Sequence, residues 1–513
     1  MSSPPQATLP ELPCPASHDK RGANSSRSPA LRFLHGAVLL FLCLFAILLP
    51  HSIKGSQHAW QIAFLLWLLT LALERRRPFP QPLSAPLLLY VIFSAISTVL
   101  SAEPLFSWDR MKIVCLVLVG ITFAQNLHRL REVRTIVYLL ILSGVAAAAF
   151  TAWQYSYGVG VRVWYNTPGP PIWQAHIFPD DIITRIDGRR VHSPADLESV
   201  LSHEPANKML RVQYLRGAPP HPRETFISRE QFMKSGLGSP DLKVTRGRPL
   251  KAQGTIGHYV NFAEILMEIG CLTWAVLIGL DSQRRILRWL LALAFVGLVC
   301  TLFLTETRVA LAGMALGGLI SILMLTGKRA RVWAMAALAV FVLLSLLWVR
   351  HTRGPHWTGT HDAGTSFRTM MWQDGMRMIP QHPWFGVGME SIRTHWIQWN
   401  IRAYSFFHDE SHFHNDMIQI AVERGLPALA AWLWFVIGFF VLLLRLIRRA
   451  RERSRFATSV ATGILAGFTA YQLTALVHYD LGIESVAMML YCYVGMALAM
   501  DRILQTPEAV DVP

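Results

Sequence analysis

Apolar residues in this chain come in long unbroken runs separated by short polar or basic connections. Runs of about 20 apolar residues match the hydrocarbon core of a bilayer. Twelve are read, at 33–50, 58–73, 84–100, 112–126, 135–155, 259–280, 286–304, 309–326, 332–349, 426–447, 459–477 and 485–504. They predict an all-α polytopic membrane protein with about 12 transmembrane helices. Two polar segments interrupt the series. The chain thus divides into a disordered, Pro- and Ser-rich tail at 1–32, five helices at 33–155, an insert at 156–257, four helices at 258–349, a long loop with helical pieces at 350–425, and three helices with a tail at 426–513. No cleavage site follows the first run, so that run is expected to remain as an anchor.

Composition agrees with the pattern. The 513 residues are 52% hydrophobic and only 16% charged, where a soluble domain carries about a quarter charged residues. A net charge of +16 raises the question of nucleic acid, but the placement of that charge answers it. Arg75, Arg76 and Arg77 follow the second run, Arg129, Arg131 and Arg134 the fourth, Arg284, Arg285 and Arg288 the sixth, and Lys328, Arg329 and Arg331 the eighth. Arg445, Arg448, Arg449, Arg451, Arg453 and Arg455 follow the tenth. Alternate short connections are poor in Lys and Arg. This is the positive-inside pattern. It predicts membrane lipids rather than nucleic acid as the surroundings, both termini in the cytoplasm, and both long polar segments outside.

The first polar segment holds a local grammar at 180–202. Ile182, Ile183 and Ile186 suit a strand, Asp187-Gly188 a turn, and Val191 a second extended piece. Ser193 is placed to cap a helix with Pro194 in its first turn and Leu197, Val200 and Leu201 on one face. An alternating strand follows from Met209. Over 160–228 this resembles a small α+β PDZ domain. Asp180 stands where a Gly is usual, and Gly158-Val159-Gly160-Val161 is the one trace of a carboxylate-binding loop. A periplasmic protein partner and a plain folded spacer both remain open for it.

In the second polar segment, Phe367, Met371 and Met378 recur at helical spacing, with Met370 and Trp372 beside them. They predict an amphipathic helix lying on the outer leaflet. "HPWFGVG" (382–388) reads as a turn. His408, His412 and His414 then gather before an apolar helix. By spacing alone His412 and His414 are indistinguishable as a base, and His408 with His412 suits one helix face of a zinc site that Asp409 or Asp416 would complete. No cysteine supports that site.

Four stretches together resemble the O-antigen ligase and O-antigen polymerase superfamily of bacterial inner-membrane glycosyltransferases. They are "TIGHYVNFAEIL" (255–266), "TETRVALAGMALG" (305–317), the turn at 382–388, and His414-Asn415 followed after nine residues by Gly425. Ala428 departs from the residues usual at the end of the ligase signature. The resemblance implies a glycan on undecaprenyl pyrophosphate as donor, lipid A-core as acceptor, His414 as general base, inversion at the sugar carbon, and neither metal nor cofactor. Its polymerase and protein O-oligosaccharyltransferase relatives are alternatives. A guanidinium grips phosphate oxygens in pairs and stays charged, which makes Arg308 and Arg368 the donor candidates. Asn415 is expected to cap the next helix, Glu423 to pair with Arg424 or orient the loop, and Gly425 to ease a change of direction. A twelve-helix transporter is the different-class reading. It would use Glu264 and Glu268, which lie inside the sixth run. A PDZ-based scaffold without catalysis is a third.

Overall fold

In the computed structural model of the chain, the described residues are 29–505 apart from 76, 80, 166–170, 217–220, 235–242, 248–250, 282, 354–362 and 403–411. Helices α1 (Pro29–Leu48), α2 (Ile53–Glu74), α3 (Ser84–Val99), α4 (Pro104–Val114), α5 (Val117–Asn126) and α6 (Leu130–Tyr157) precede the insert. The insert runs β1 (Gly160–Trp164), α7 (Pro171–Gln174), β2 (Ile182–Ile186), β3 (Arg189–Arg190), α8 (Pro194–Ser202), β4 (Met209–Arg216), β5 (His221–Ser228), α9 (Arg229–Lys234) and β6 (Lys243–Gly247). Then come α10 (Tyr259–Gly279), α11 (Arg285–Leu304), α12 (Arg308–Leu325), α13 (Lys328–Arg353), α14 (Ala363–Met378), α15 (Ile392–His395), α16 (Asp416–Arg451), α17 (Arg455–Thr474) and α18 (Glu484–Gln505).

Among the described residues, 9 helices are long and apolar enough to cross a bilayer: α1, α2, α6, α10, α11, α12, α13, α16 and α18. The expected twelve are not reached by that measure, although the other three runs are helical too. Helix α3 has 16 residues, short for a span. The run at 112–126 breaks between Val114 and Val117. Helix α17 is long enough but rich in Thr and Ser, and most of its residues are buried. It packs against α10, α12 and α16. A helix walled in by protein needs small packing residues more than a lipid-loving face.

The two ends of the bundle differ. At one end basic side chains cap helix carbonyls, with Arg451 on Met324, Arg453 on Leu504 and Arg502 on Leu127. The opposite end carries the insert and the long loop, and there Ala252 N–H donates to Leu304 and Asp416 N–H to Ala475. The arginine-rich connections read from the sequence are thus segregated from the polar segments.

The insert is a sheet ordered β5-β4-β2-β1-β6 with β3 beside β2. Asp187 (φ 48°) and Gly188 (φ 78°) both take left-handed backbone at the β2–β3 turn, as a two-residue hairpin turn demands. Ser193 caps α8 reciprocally with Asp196. Val161, Ile183, Ile186, Leu197, Leu210, Val212 and Phe232 close a core of the insert's own residues. The sheet runs past residue 228, because β6 joins it at the β1 edge.

The long loop is built differently. Met371, Met378, Val387, Ile392 and Phe413 share a core with Val422 and Ile418 of α16. The apolar face of α14 is therefore covered by protein and does not lie on a leaflet as its spacing predicted. A neighbouring apolar helix face removes that surface from water as well as lipid does.

Candidate active site

Gly425 breaks α16 with φ 82° and ψ 170°, a backbone setting closed to residues with a Cβ. A Cβ there would also sit 2.2 Å from the Trp384 carbonyl oxygen. The break frees backbone groups, and the turn at 382–388 takes them. Val387 and Gly388 N–H each donate over 2.9 Å to Val422 and Glu423, and Leu426 N–H returns a bond of 2.7 Å to Pro383. Ser97 adds its hydroxyl to the Glu423 carbonyl at 2.6 Å. Two motifs well separated in the sequence thus form one structural joint. Glu423 reaches two ways. Its Oε2 lies 3.8 Å from Arg424, and its Oε1 accepts from the Glu390 N–H at 2.9 Å, which ties down the loop.

At the start of α16, Asn415 is the cap, its Oδ1 accepting the Ile418 N–H at 3.0 Å. His414, half-buried, precedes it in left-handed backbone with φ 50°. The ring stands 4.3 Å from that of His412 and meets the edge of Phe367 at 5.8 Å. Trp372 donates its indole N–H to the His414 carbonyl at 3.3 Å. His408 and Asp409 lie outside the described residues.

Beside this corner opens a cavity of about 540 Å³. Arg308, Arg368 and Lys251 line it together with Glu306, Tyr259, Trp372 and His478. The structure thus brings the two predicted arginines to one cavity and adds a third cation, and Trp372, which also lines it, holds the His414 carbonyl. Arg308 is the first residue of α12, where the helix dipole favours an anion.

Sequence reasoning missed Lys251 and His478. His478 sits in the short polar break between α17 and α18. Its Nδ1 is 2.7 Å from Glu264 Oε1, and its Nε2 is 3.4 Å from Arg368 Nη2. A guanidinium only donates, so Nε2 accepts and Nδ1 carries the hydrogen toward Glu264. Burial, with Arg368 and His414 nearby, pushes the imidazole down to about 3, which keeps it neutral. Glu264 is fully buried, and among the described residues its partner is His478 rather than an arginine. Through His478 it holds Arg368. Glu264, His478 and Asp480 also offer ligand atoms within 4.8 Å of one another, but a metal there would have to displace the Nδ1 hydrogen. The only signal for this pairing was "HYD" (478–480) between two apolar runs. A Glu in one run and a His over two hundred positions later carry no shared spacing.

Residues 293–433 match the family model described as O-Antigen ligase. They include Arg308, Arg368, His414, Asn415, Glu423 and Gly425 and leave out Glu264 and His478. Residues 121–221 match the PDZ domain model. The early part of that match falls on α5 and α6, and its remainder on the folded insert. No curated protein matches the chain. On a many-helix membrane scaffold with one small sheet, the chain is thus similar to the O-antigen ligase family over 293–433 and to a PDZ domain over 121–221.

Proposed function

We propose that the chain is a glycan ligase that transfers a sugar chain from undecaprenyl pyrophosphate to a hydroxyl of lipid A-core on the outer face of the bacterial inner membrane. The observation that carries this is the cavity where Arg308 and Arg368, sixty positions apart in the sequence, converge with Lys251. Three cations in one recess suit a pyrophosphate and have no use in a neutral-solute path. As the acceptor oxygen bonds to the sugar carbon, the bond from that carbon to the phosphate oxygen breaks, and its electron pair leaves with the pyrophosphate. The cations stabilise that charge. His414 takes the hydroxyl proton. Attack opposite the leaving group inverts the carbon. Neutral His478, backed by Glu264, keeps the Arg368 fork aimed at the phosphates.

The test is transfer by the purified protein from undecaprenyl-pyrophosphate-linked glycan, with lipid A-core, a second donor molecule or a peptide offered as acceptor. Product on lipid A-core supports the ligase. Product on the second donor or the peptide moves the assignment to a polymerase or a protein glycosyltransferase. Arg308→Lys keeps the charge but loses the fork, so transfer falls roughly tenfold to a hundredfold, the worth of one charge-assisted hydrogen bond. Undiminished transfer by folded Arg308→Ala removes the cavity from the mechanism.

A further inference from the structure

Strand β6 is the odd element of the insert. It follows the other strands at a distance in sequence, yet it pairs antiparallel along the whole of β1, from Gly160 opposite Gly247 to Trp164 opposite Lys243. It also touches α8. An extended peptide binds a PDZ domain by adding a strand to an open sheet edge. Here the edge of β1 beside α8 is already filled by the chain itself.

The fit is specific. Gly247 crosses Gly160 so closely that a Cβ on Gly247 would lie 2.4 Å from Ile182 Cγ2 and 3.0 Å from the Gly160 carbonyl carbon. Val244 packs on the insert's core. The Val159 N–H, in the Gly158-Val159-Gly160 loop, donates over 2.8 Å to the Gly247 carbonyl. A loop amide at that place would otherwise meet the end of an incoming peptide.

Gly247 is also near the cavity in sequence. Three residues separate it from Lys251, a reach of about 14 Å at most for four extended steps. Lys251 lines the cavity and lies over the Tyr259 ring at 4.1 Å, and Ala252 N–H anchors the next residue to Leu304. The seat of β6 and the seat of Lys251 are on one short tether.

We infer that β6 is the insert's built-in ligand: it closes the peptide-binding edge, an extended peptide with a β-branched apolar residue and a C-terminal Gly competes with it, and its departure withdraws Lys251 from the cavity. The PDZ module then reports a bound peptide to the cationic recess instead of serving as a passive tether. The last step rests on the proposed donor role of that recess, whereas the displacement of β6 does not.

The experiment uses full-length protein in nanodiscs and a fluorescein-labelled peptide Lys-Val-Thr-Arg-Gly, read by anisotropy. Gly247→Val evicts β6 by collision, and Arg162→Cys with Thr245→Cys, which face each other across the strands, locks it when oxidised. The peptide should bind Gly247→Val roughly tenfold or more tighter than wild type, because self-occupancy reduces the competent fraction. Oxidised lock should bind weakest, and reduction should restore the wild-type level. Equal binding by wild type and oxidised lock overturns the inference, even if Gly247→Val fails to fold. In a Lys251→Cys background, added peptide should speed maleimide labelling, and an unchanged rate overturns the tether. Neither readout needs glycan transfer, so a failed transfer assay leaves them decisive.

Discussion

The two polar segments are of similar standing in the sequence, yet they fold in opposite ways. The insert encloses a core drawn from its own strands and helices, with Val161, Ile183 and Phe232 at its centre. The long loop also has a cluster of its own, but that cluster is shared with the first turns of α16, which runs on into the bundle. Its Met371, Met378 and Phe413 close on Ile418 and Val422 of a membrane helix. One segment is a module attached to the bundle, the other a continuation of it. A chemical site that must hold its groups to fractions of an ångström belongs on the segment that shares the scaffold's packing, and His414, Arg368 and Gly425 all sit there.

The largest effect expected from this contrast is at His414. If it is the base, His414→Ala lowers single-turnover transfer about a hundredfold to ten-thousandfold, while donor binding persists because Arg308, Arg368 and Lys251 are untouched. His412→Ala is milder. A dead His412→Ala beside an active His414→Ala would exchange the two roles, and inhibition of the wild type by a chelator would replace the base with a metal.

Next is the joint that makes the loop continuous with the bundle. Gly425→Ala places a side chain at φ 82° and against Trp384, a strain of about 1–3 kcal/mol before the collision is counted. Melting of the whole bundle should drop and transfer with it. A variant with unchanged melting would mean that the turn at 382–388 and α16 are not one unit.

Much of this contrast was legible in the residues, and the limit has a physical cause. Bilayer thickness imposes run lengths that anyone can read, so every apolar run became helical, the one at 112–126 in two pieces. Caps and turns are local chemistry, so Ser193, Asp187-Gly188 and Asn415 were read from their neighbours. Contacts between distant segments leave no such mark. The seating of β6 on β1, the arrival of Lys251 at the cavity, and the Glu264–His478–Arg368 chain each join residues whose spacing says nothing. Spacing also misplaced α14: periodicity reveals that a face is apolar but not whether lipid or protein covers it.

That chain of three groups gives a smaller effect. His478→Phe removes the acceptor that steadies Arg368, so the KM for donor should rise roughly two- to tenfold, the net worth of one ordinary hydrogen bond, with kcat little changed. His478→Gln, whose side-chain oxygen can accept from Arg368, should recover most of it. A merely structural role would lower the active fraction of both variants alike and leave KM where it was.

The smallest effect on transfer is expected from the largest disturbance of the insert. Phe232 is fully buried in the insert's core, and Phe232→Ala in such a site costs about 3–5 kcal/mol. If the insert is a module, that loss stays within it. Limited proteolysis should cut within 160–247 while the bundle's melting temperature holds. Transfer should decline only as far as the release of Lys251 accounts for, so Lys251→Ala and Phe232→Ala should give matching, modest losses, and the double variant should be no worse than either. A bundle that melts early in Phe232→Ala would erase the contrast between the two segments, because the insert would then share the bundle's stability as the long loop does. A double variant that loses transfer additively would keep the contrast but cut the tether between β6 and the cavity, since two sites acting through one event cannot be removed twice.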